Sequence, residues 1–494
     1  MRLSGAVSLK VCFGLGLASL MTALGCGSGG SVNLTHTTGN YSNASLKGTY
    51  VYEIRGALPP NGFPYREVGA FSADGAGHIT TGSDDSSLNA GSVPITYTGS
   101  YSVGSDGTGA MTFSNTALGQ ITLALTLVST SQVELMEADG FADGAGEAEL
   151  QTASAVAANP GTFVFRLHQA ISAQSSSSSA AEVGVVNVSG SSVTGGSMDQ
   201  NLGGVSSQLT LTGGTLAAPG TLGRGTATLT DSTPFTTSLI YYTVATGKLV
   251  FLVSNANAVG SGEAEAQPGA VSGGLSGNYA FGSSGDDGFF DGTATVGSFT
   301  GSAGAISAYS FDAMQDGTYS TGTTTGTYTA AANGRVAVTL SSGSPEVFWM
   351  VSPARAFFLI NSGSKIEDGT ADLQAVSSFS ASTMKGQYAM VMDGIDLNDG
   401  QDFARIGPLQ FDGAGKLVLN ELFNGDASGT GAQPPPGGTL SGTYQVSSNG
   451  RITGTLTNSA GGLDLVMYAI SGSNAYVLQP DSGVVISGTV NLQH

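Results

Sequence analysis

The stretch "LKGTYVYEI" at residues 46–54 places Tyr50, Tyr52 and Ile54 on one side of an extended chain and Val51 and Glu53 on the other. A period of two is the mark of a β-strand with unlike faces. The phrase returns as "NPGTFVFRL" at 159–167, "LSGNYAFGS" at 275–283 and "MKGQYAMVM" at 384–392. Its glycines, Gly48, Gly161, Gly277 and Gly386, stand about 110 residues apart, a period that marks a tandem array. A second landmark keeps the same period: "GEAELQ" ends at Gln151, "GEAEAQ" at Gln267, "GTADLQ" at Gln374 and "GTVNLQ" at Gln493.

Between these landmarks lie hairpins. The first is "VGAFSADGAGHI" at 68–79, with counterparts at 183–193, 296–306 and 406–417. The second, "GSYSVGSDGTGAMTF" at 99–113, matches 326–340 and 442–456, while the second copy offers "LGRGTATL" at 222–229. The third joins two apolar runs, as in "YYTVATGKLVFLV" at 241–253 and "VFWMVSPARAFFLI" at 347–360. Asp-Gly and Asn-Gly pairs between alternating residues favour tight hairpins, because both residue types tolerate positive φ. The first copy reads as eight strands: 50–55, 66–73, 77–82, 95–103, 109–114, 121–128, 132–137 and 147–151. No segment beyond the N-terminal run carries a helical apolar stripe.

The expected fold is all-β, with four tandem antiparallel eight-stranded meander units at 46–151, 156–267, 272–374 and 379–493. Closure into barrels removes exposed edges. In strand count and connection length the units resemble up-and-down barrels of the lipocalin and streptavidin type, with no ligand residues to carry over. Open sandwiches are the alternative, and a single propeller comes third. The only tryptophan, Trp349, reads as core.

The chain has 35 acidic and 15 basic residues, a formal net charge of −20, which argues against nucleic acid as a partner. Gly is 76 of 494 residues, yet 40% are hydrophobic, enough to build cores. Its two cysteines are Cys12 and Cys26. Arg2 and Lys10 precede an uncharged run over 11–25, shorter than the roughly 20 residues of a spanning helix. Its end, Ala23-Leu24-Gly25-Cys26, resembles the lipobox of bacterial lipoproteins. The resemblance implies a signal peptide over 1–25, cleavage between Gly25 and Cys26, a diacylglyceryl and acyl group on Cys26, and a tether over 26–45. Since Gly27 is not the aspartate that retains lipoproteins at an inner membrane, the outer membrane or cell surface is the expected address. The whole mature chain also resembles tandem β-repeat bacterial lipoproteins.

No catalytic constellation, cofactor motif or metal-ligand spacing stands out among His36, His78, His168 and His494. One polar feature recurs after the first hairpin: Asp85 and Asn89, Asp199 and Asn201, Asp312 and Asp316, then Asn420, Glu421 and Asn424. It reads either as a rim site for calcium or a polar ligand, using hard oxygen donors, or as loops whose side chains satisfy their own backbone. The function expected is a lipid-anchored structural, adhesive or binding module with an extracellular or envelope partner and no cofactor. The alternative is a carrier of small ligands inside the barrels. Replacing the anchor, Cys26→Ala, is expected to release the protein from the membrane fraction; retention of the variant there would contradict lipidation.

Overall fold

The computed structural model describes residues 40–59, 62–88, 94–115, 119–152, 160–173, 176–269, 271, 273–287, 292–363, 365–398, 400–425, 431–434 and 437–494. The expected cleavage site, Gly25 and Cys26, and the candidate ligand Asn89 lie outside them.

Barrel 1 is a closed meander of β1 (Lys47–Leu58), β2 (Phe63–Asp74), β3 (His78–Ser86), β4 (Ile95–Val103), β5 (Thr108–Asn115), β6 (Gly119–Leu127), β7 (Gln132–Glu137) and β8 (Asp143–Leu150). Each strand pairs antiparallel with the next, and β8 returns to β1. Barrel 2 repeats the pattern from β9 (Gly161–Ala173) to β16 (Ala258–Ala266), and barrel 3 from β17 (Gly277–Asp286) to β24 (Ile366–Leu373). The fragment "LGRGTATL" takes its place in β13 (Arg224–Asp231). Ser176–Ser189 forms β10, which pairs antiparallel with β9.

Barrel 4 runs from β25 (Lys385–Asp396) to β33 (Val484–Leu492), with its third strand position split into β27 (Lys416–Leu419) and β28 (Leu422–Asn424). Both pieces pair with β26 (Gln401–Asp412). Pro408 on β26 accepts from the Asn420 amide at 3.1 Å but has no N–H to return, so the ladder breaks there.

Two glycine positions explain the landmarks. Gly48, Gly161, Gly277 and Gly386 have φ of +127°, +144°, +120° and +126°, a region that side chains disfavour. In the Val-Gly strand, a Cβ on Gly69 would lie 2.7 Å from the Tyr52 ring, and one on Gly297 would lie 2.3 Å from the Phe281 ring. The aromatic side chain of the first strand therefore lies flat across the second, directly opposite in register.

The interiors are filled. Tyr50 stacks on Phe71 with centroids 5.5 Å apart, Phe348 on Phe358 at 5.0 Å, and Phe411 meets Tyr444 edge-on at 4.9 Å. Barrel 2 keeps an apolar void of about 50 Å³ between Phe165, Tyr241, Phe251 and their neighbours.

The barrels pack on one another in cyclic order. Val51, Val68 and Ala70 of barrel 1 meet Ile240, Tyr242, Val244, Val250 and Leu252 of barrel 2. Val164, Ala181, Val183 and Val185 of barrel 2 meet Val347, Trp349, Val351, Phe357 and Leu359 of barrel 3. Ala280, Ala294, Val296 and Met314 of barrel 3 meet Val466, Tyr468, Leu478 and Val485 of barrel 4. Finally Ala404 and Ile406 of barrel 4 meet Ala124, Met136 and Ala145 of barrel 1. Each joint sets the outer face of the first hairpin against the outer face of the sixth and seventh strands of the next barrel. One head-to-tail contact thus repeats until it closes on itself, and the four barrels form a ring. Trp349 is core, as its sequence setting implies: it is fully buried, in the apolar cluster between barrels 2 and 3.

Like ends of the barrels share a face of the ring. At the short-turn end, the landmark glutamines reach the next barrel: Gln151 Nε2 donates to Leu222 O and Thr243 O at 3.0 and 2.7 Å, and Gln267 and Gln374 do the same one barrel on. Gln493 completes the circle on Asp106 O and Leu127 O at 3.1 and 2.6 Å. At the opposite end, Asn201 and Asn424 tie barrel 2 to barrel 3 and barrel 4 to barrel 1. The incoming chain docks on the short-turn face, where Asn43 Oδ1 accepts from Val103 N at 2.8 Å and Tyr41 Oη donates to Val128 O at 2.9 Å.

Candidate functional site

The recurring acids lie in the joints, not at a solvent-facing rim. Asp85, on β3, is fully buried and accepts from Arg224 Nε and Nη2 of barrel 2 at 2.6 and 2.7 Å. Asp199 takes Arg335 of barrel 3 in the same bidentate way at 2.7 and 2.6 Å, and Asp312 takes Arg451 of barrel 4 at 2.7 and 2.6 Å. Each carboxylate also accepts from an aromatic side chain of the next barrel: Tyr242 Oη at 2.9 Å, Trp349 Nε1 at 2.9 Å and Tyr468 Oη at 2.8 Å. Register places each arginine directly opposite its aromatic partner, Arg224 with Tyr242, Arg335 with Trp349 and Arg451 with Tyr468. A planar guanidinium matched to a carboxylate fixes angle as well as distance. Both oxygens of each of these three carboxylates are thus already bonded.

The other candidates disperse. Asn201 Nδ2 spans three carbonyls of barrel 3, Ile360 O, Ser362 O and Lys365 O, at 3.2, 2.8 and 2.9 Å. Asn424 Nδ2 donates to Glu137 O and Ala142 O of barrel 1, both at 3.0 Å. Asp316 sits in a tight turn with φ of +48°. Asn420 accepts from Thr439, and Glu421 pairs with Arg405 of its own barrel at 2.5 Å. Among the described residues, no group of three or more His, Cys, Asp or Glu is placed to hold a metal ion.

A signal for the clasp was present in the sequence. The acid recurs in copies one to three, and an arginine after the turn glycine recurs in copies two to four. That offset by one copy is what a head-to-tail contact requires.

The first strands also bring a charged network together. His168 of barrel 2 sits between two carboxylates of barrel 3, its Nδ1 2.9 Å from Asp368 Oδ1 and its Nε2 3.5 Å from Asp286 Oδ2. Burial pulls its pKa down, but those two carboxylates prevail and hold it at about 9, so the imidazolium is charged at neutral pH. Arg166 links Glu263 at 2.7 Å to Asp368 at 3.3 Å. Arg55 pairs with Glu53 at 2.8 Å and, with Arg66, faces Asp393 of barrel 4. Asp402 is raised to about 7 by burial, which Arg66 only partly offsets. Cations and acids alternate here among four barrels and tie them to one another.

The clasp generates a test. Arg451→Met leaves Asp312 buried without its cation and is expected to cost about 3 kcal/mol or more, whereas adding Asp312→Leu should recover much of that loss, read by chemical denaturation. Burial pushes Asp312 upward, but its bonds from Arg451, Tyr319 and Tyr468 outweigh this and hold it below the usual aspartate range. Its contribution is therefore present above about pH 4 and disappears as the pH falls through the lowered folded value, so stability should drop on that side.

No family model matches this chain, and no curated protein does. Among solved structures, it is similar to the vaccine antigen transferrin binding protein B of Haemophilus parasuis Hp5, at 10% identity over 74% of this chain and 82% of that one, with a TM-score of 0.20. It is similar also to intact Ap-TbpB with its N and C lobes, at 9% identity over 90% and 95%, with a TM-score of 0.19. Superpositions this loose carry no argument about this chain's fold or function.

Proposed function

We propose that this protein is a lipid-anchored, non-catalytic module of the bacterial cell envelope that presents a ring of β barrels to a macromolecular partner. The observation that carries this reading is the filled interior of the barrels. A ligand pocket spans about 300–1,000 Å³, whereas the void in barrel 2 is about 50 Å³. That disfavours the carrier alternative and moves recognition to the outside.

The polarity of the ring supports the same reading. The chain enters on the short-turn face, so a tether from Cys26 would turn that face to the membrane. The opposite ends of the barrels then face outward, with the exposed Phe63, Leu88, Val205 and Phe235, 55–70% accessible, among them. Isolated apolar tips on a rigid frame suit protein contact at low ordering cost. An outer-membrane address and an extracellular or envelope partner follow from the lipobox resemblance and the net charge of −20.

Native mass spectrometry of the mature protein, solubilised gently from its host envelope, distinguishes the two readings. Polypeptide plus lipid mass is the expected result. Additional mass in steps of one to four small molecules would overturn the module in favour of the carrier.

A further inference from the structure

The joint between barrels 4 and 1 is built differently from the other three. Strand register identifies the counterparts of each clasp residue. Where Val68, Val183 and Val296 oppose Asp85, Asp199 and Asp312, Ile406 opposes Leu422. Where Arg224 opposes Tyr242, Arg335 opposes Trp349 and Arg451 opposes Tyr468, Thr108 opposes Thr126. Acid, cation and aromatic partner are thus all replaced together at one joint. The packing there is also slighter: Ala124 stands where Ile240, Val347 and Val466 stand elsewhere, and facing it are Ala404 and Ile406.

A second tie changes sign at the same place. The residue two before each landmark glutamine is Glu149, Glu265, Asp372 and Asn491. Glu149 pairs with Lys248 at 2.5 Å, Glu265 with Arg355 at 3.1 Å, and Asp372 accepts from Tyr476 at 2.6 Å, each across a joint. At the fourth joint Asn491 Nδ2 donates instead to Glu134 of barrel 1 at 3.0 Å. Glu134 is fully buried, and its Oε2 has no hydrogen-bond partner. Its counterparts by register with the closing strand are Val250, Phe357 and Tyr476. A carboxyl group therefore occupies a position that is apolar or aromatic in every other barrel.

We infer that the joint between barrels 4 and 1 is the ring's gate, closed when Glu134 carries a proton and loosened when that proton leaves. The groups facing Glu134 set the direction. Glu147 lies opposite on β8, Glu149 lies beyond it with Lys248 of barrel 2 beside it, Thr126 is its neighbour on β6, and Asn491 supplies one amide from β33. Burial, then the nearby Glu147, raise the Glu134 pKa well above the usual glutamate range, while Asn491 opposes them. Opening gives the carboxyl water, where it ionises normally. Closure is therefore strongest below the ordinary glutamate value and weakens as the pH rises above it.

Hydrogen exchange on the full mature chain tests this. Ala432 N donates to Ala138 O across the gate, while Thr152 N to Val244 O and Ala375 N to Ile470 O span clasped joints. Peptides over residues 120–138 and 431–434 should exchange at least about tenfold faster at pH 8 than at pH 5, after correction for intrinsic rates, with the clasped joints changing less. Glu134→Gln, which keeps shape and the amide contact, should flatten that dependence. Installing Thr108→Arg, Thr126→Tyr and Leu422→Asp together should protect the gate at both pH values. Gate and clasped joints moving in step, or a Glu134→Gln protein with the dependence intact, would overturn the proposal.

Discussion

The structure depends on apolar side chains having to leave water on both faces of the same strands. A lone barrel satisfies only its inner face. In β6 and β7, Leu125, Leu127, Val133 and Leu135 point into barrel 1 while Ala124 and Met136 point out, and the outward set in barrels 2 to 4 is larger and more aromatic. At about 25 cal/mol per Å² of buried apolar surface, leaving such faces exposed costs too much for a protein with a marginal net stability. The outer face of each first hairpin covers them. Because the same two faces meet at each joint, four copies close into a ring.

The fold was largely legible because local signals agreed with one another. The paired landmarks counted the copies, alternation named the strands, and the Asp-Gly and Asn-Gly turns joined them into meanders that close into barrels. Strand ends were read short; β1 runs on to Leu58 and β2 starts at Phe63, since cross-strand pairing extends a ladder past its apolar residues. The split third position of barrel 4 was missed, although Pro408 marked it.

Arrangement was the part left unread. The third hairpins are continuous rather than alternating in apolar character, the pattern of strands covered on both sides. "VFWMVSPARAFFLI" is such a run, and the outward side of its strands is what carries Trp349 into the joint between barrels 2 and 3. The recurring acids were visible, but their role was not, because the partner lies 136–139 residues away. The landmark glutamines carried the same message: a side chain kept in all four copies reaches carbonyls of the next barrel each time. Aromatic packing fills the barrel interiors, while bidentate ion pairs and amide ties join one barrel to the next.

Small-angle X-ray scattering of the mature protein in solution tests the ring most directly. A chain of this length packed as one body has a radius of gyration of about 23 Å. The ring predicts a value near that, with a single compact distance distribution. Four barrels strung on free linkers would give a value above about 30 Å with an extended tail, and that result would contradict closure.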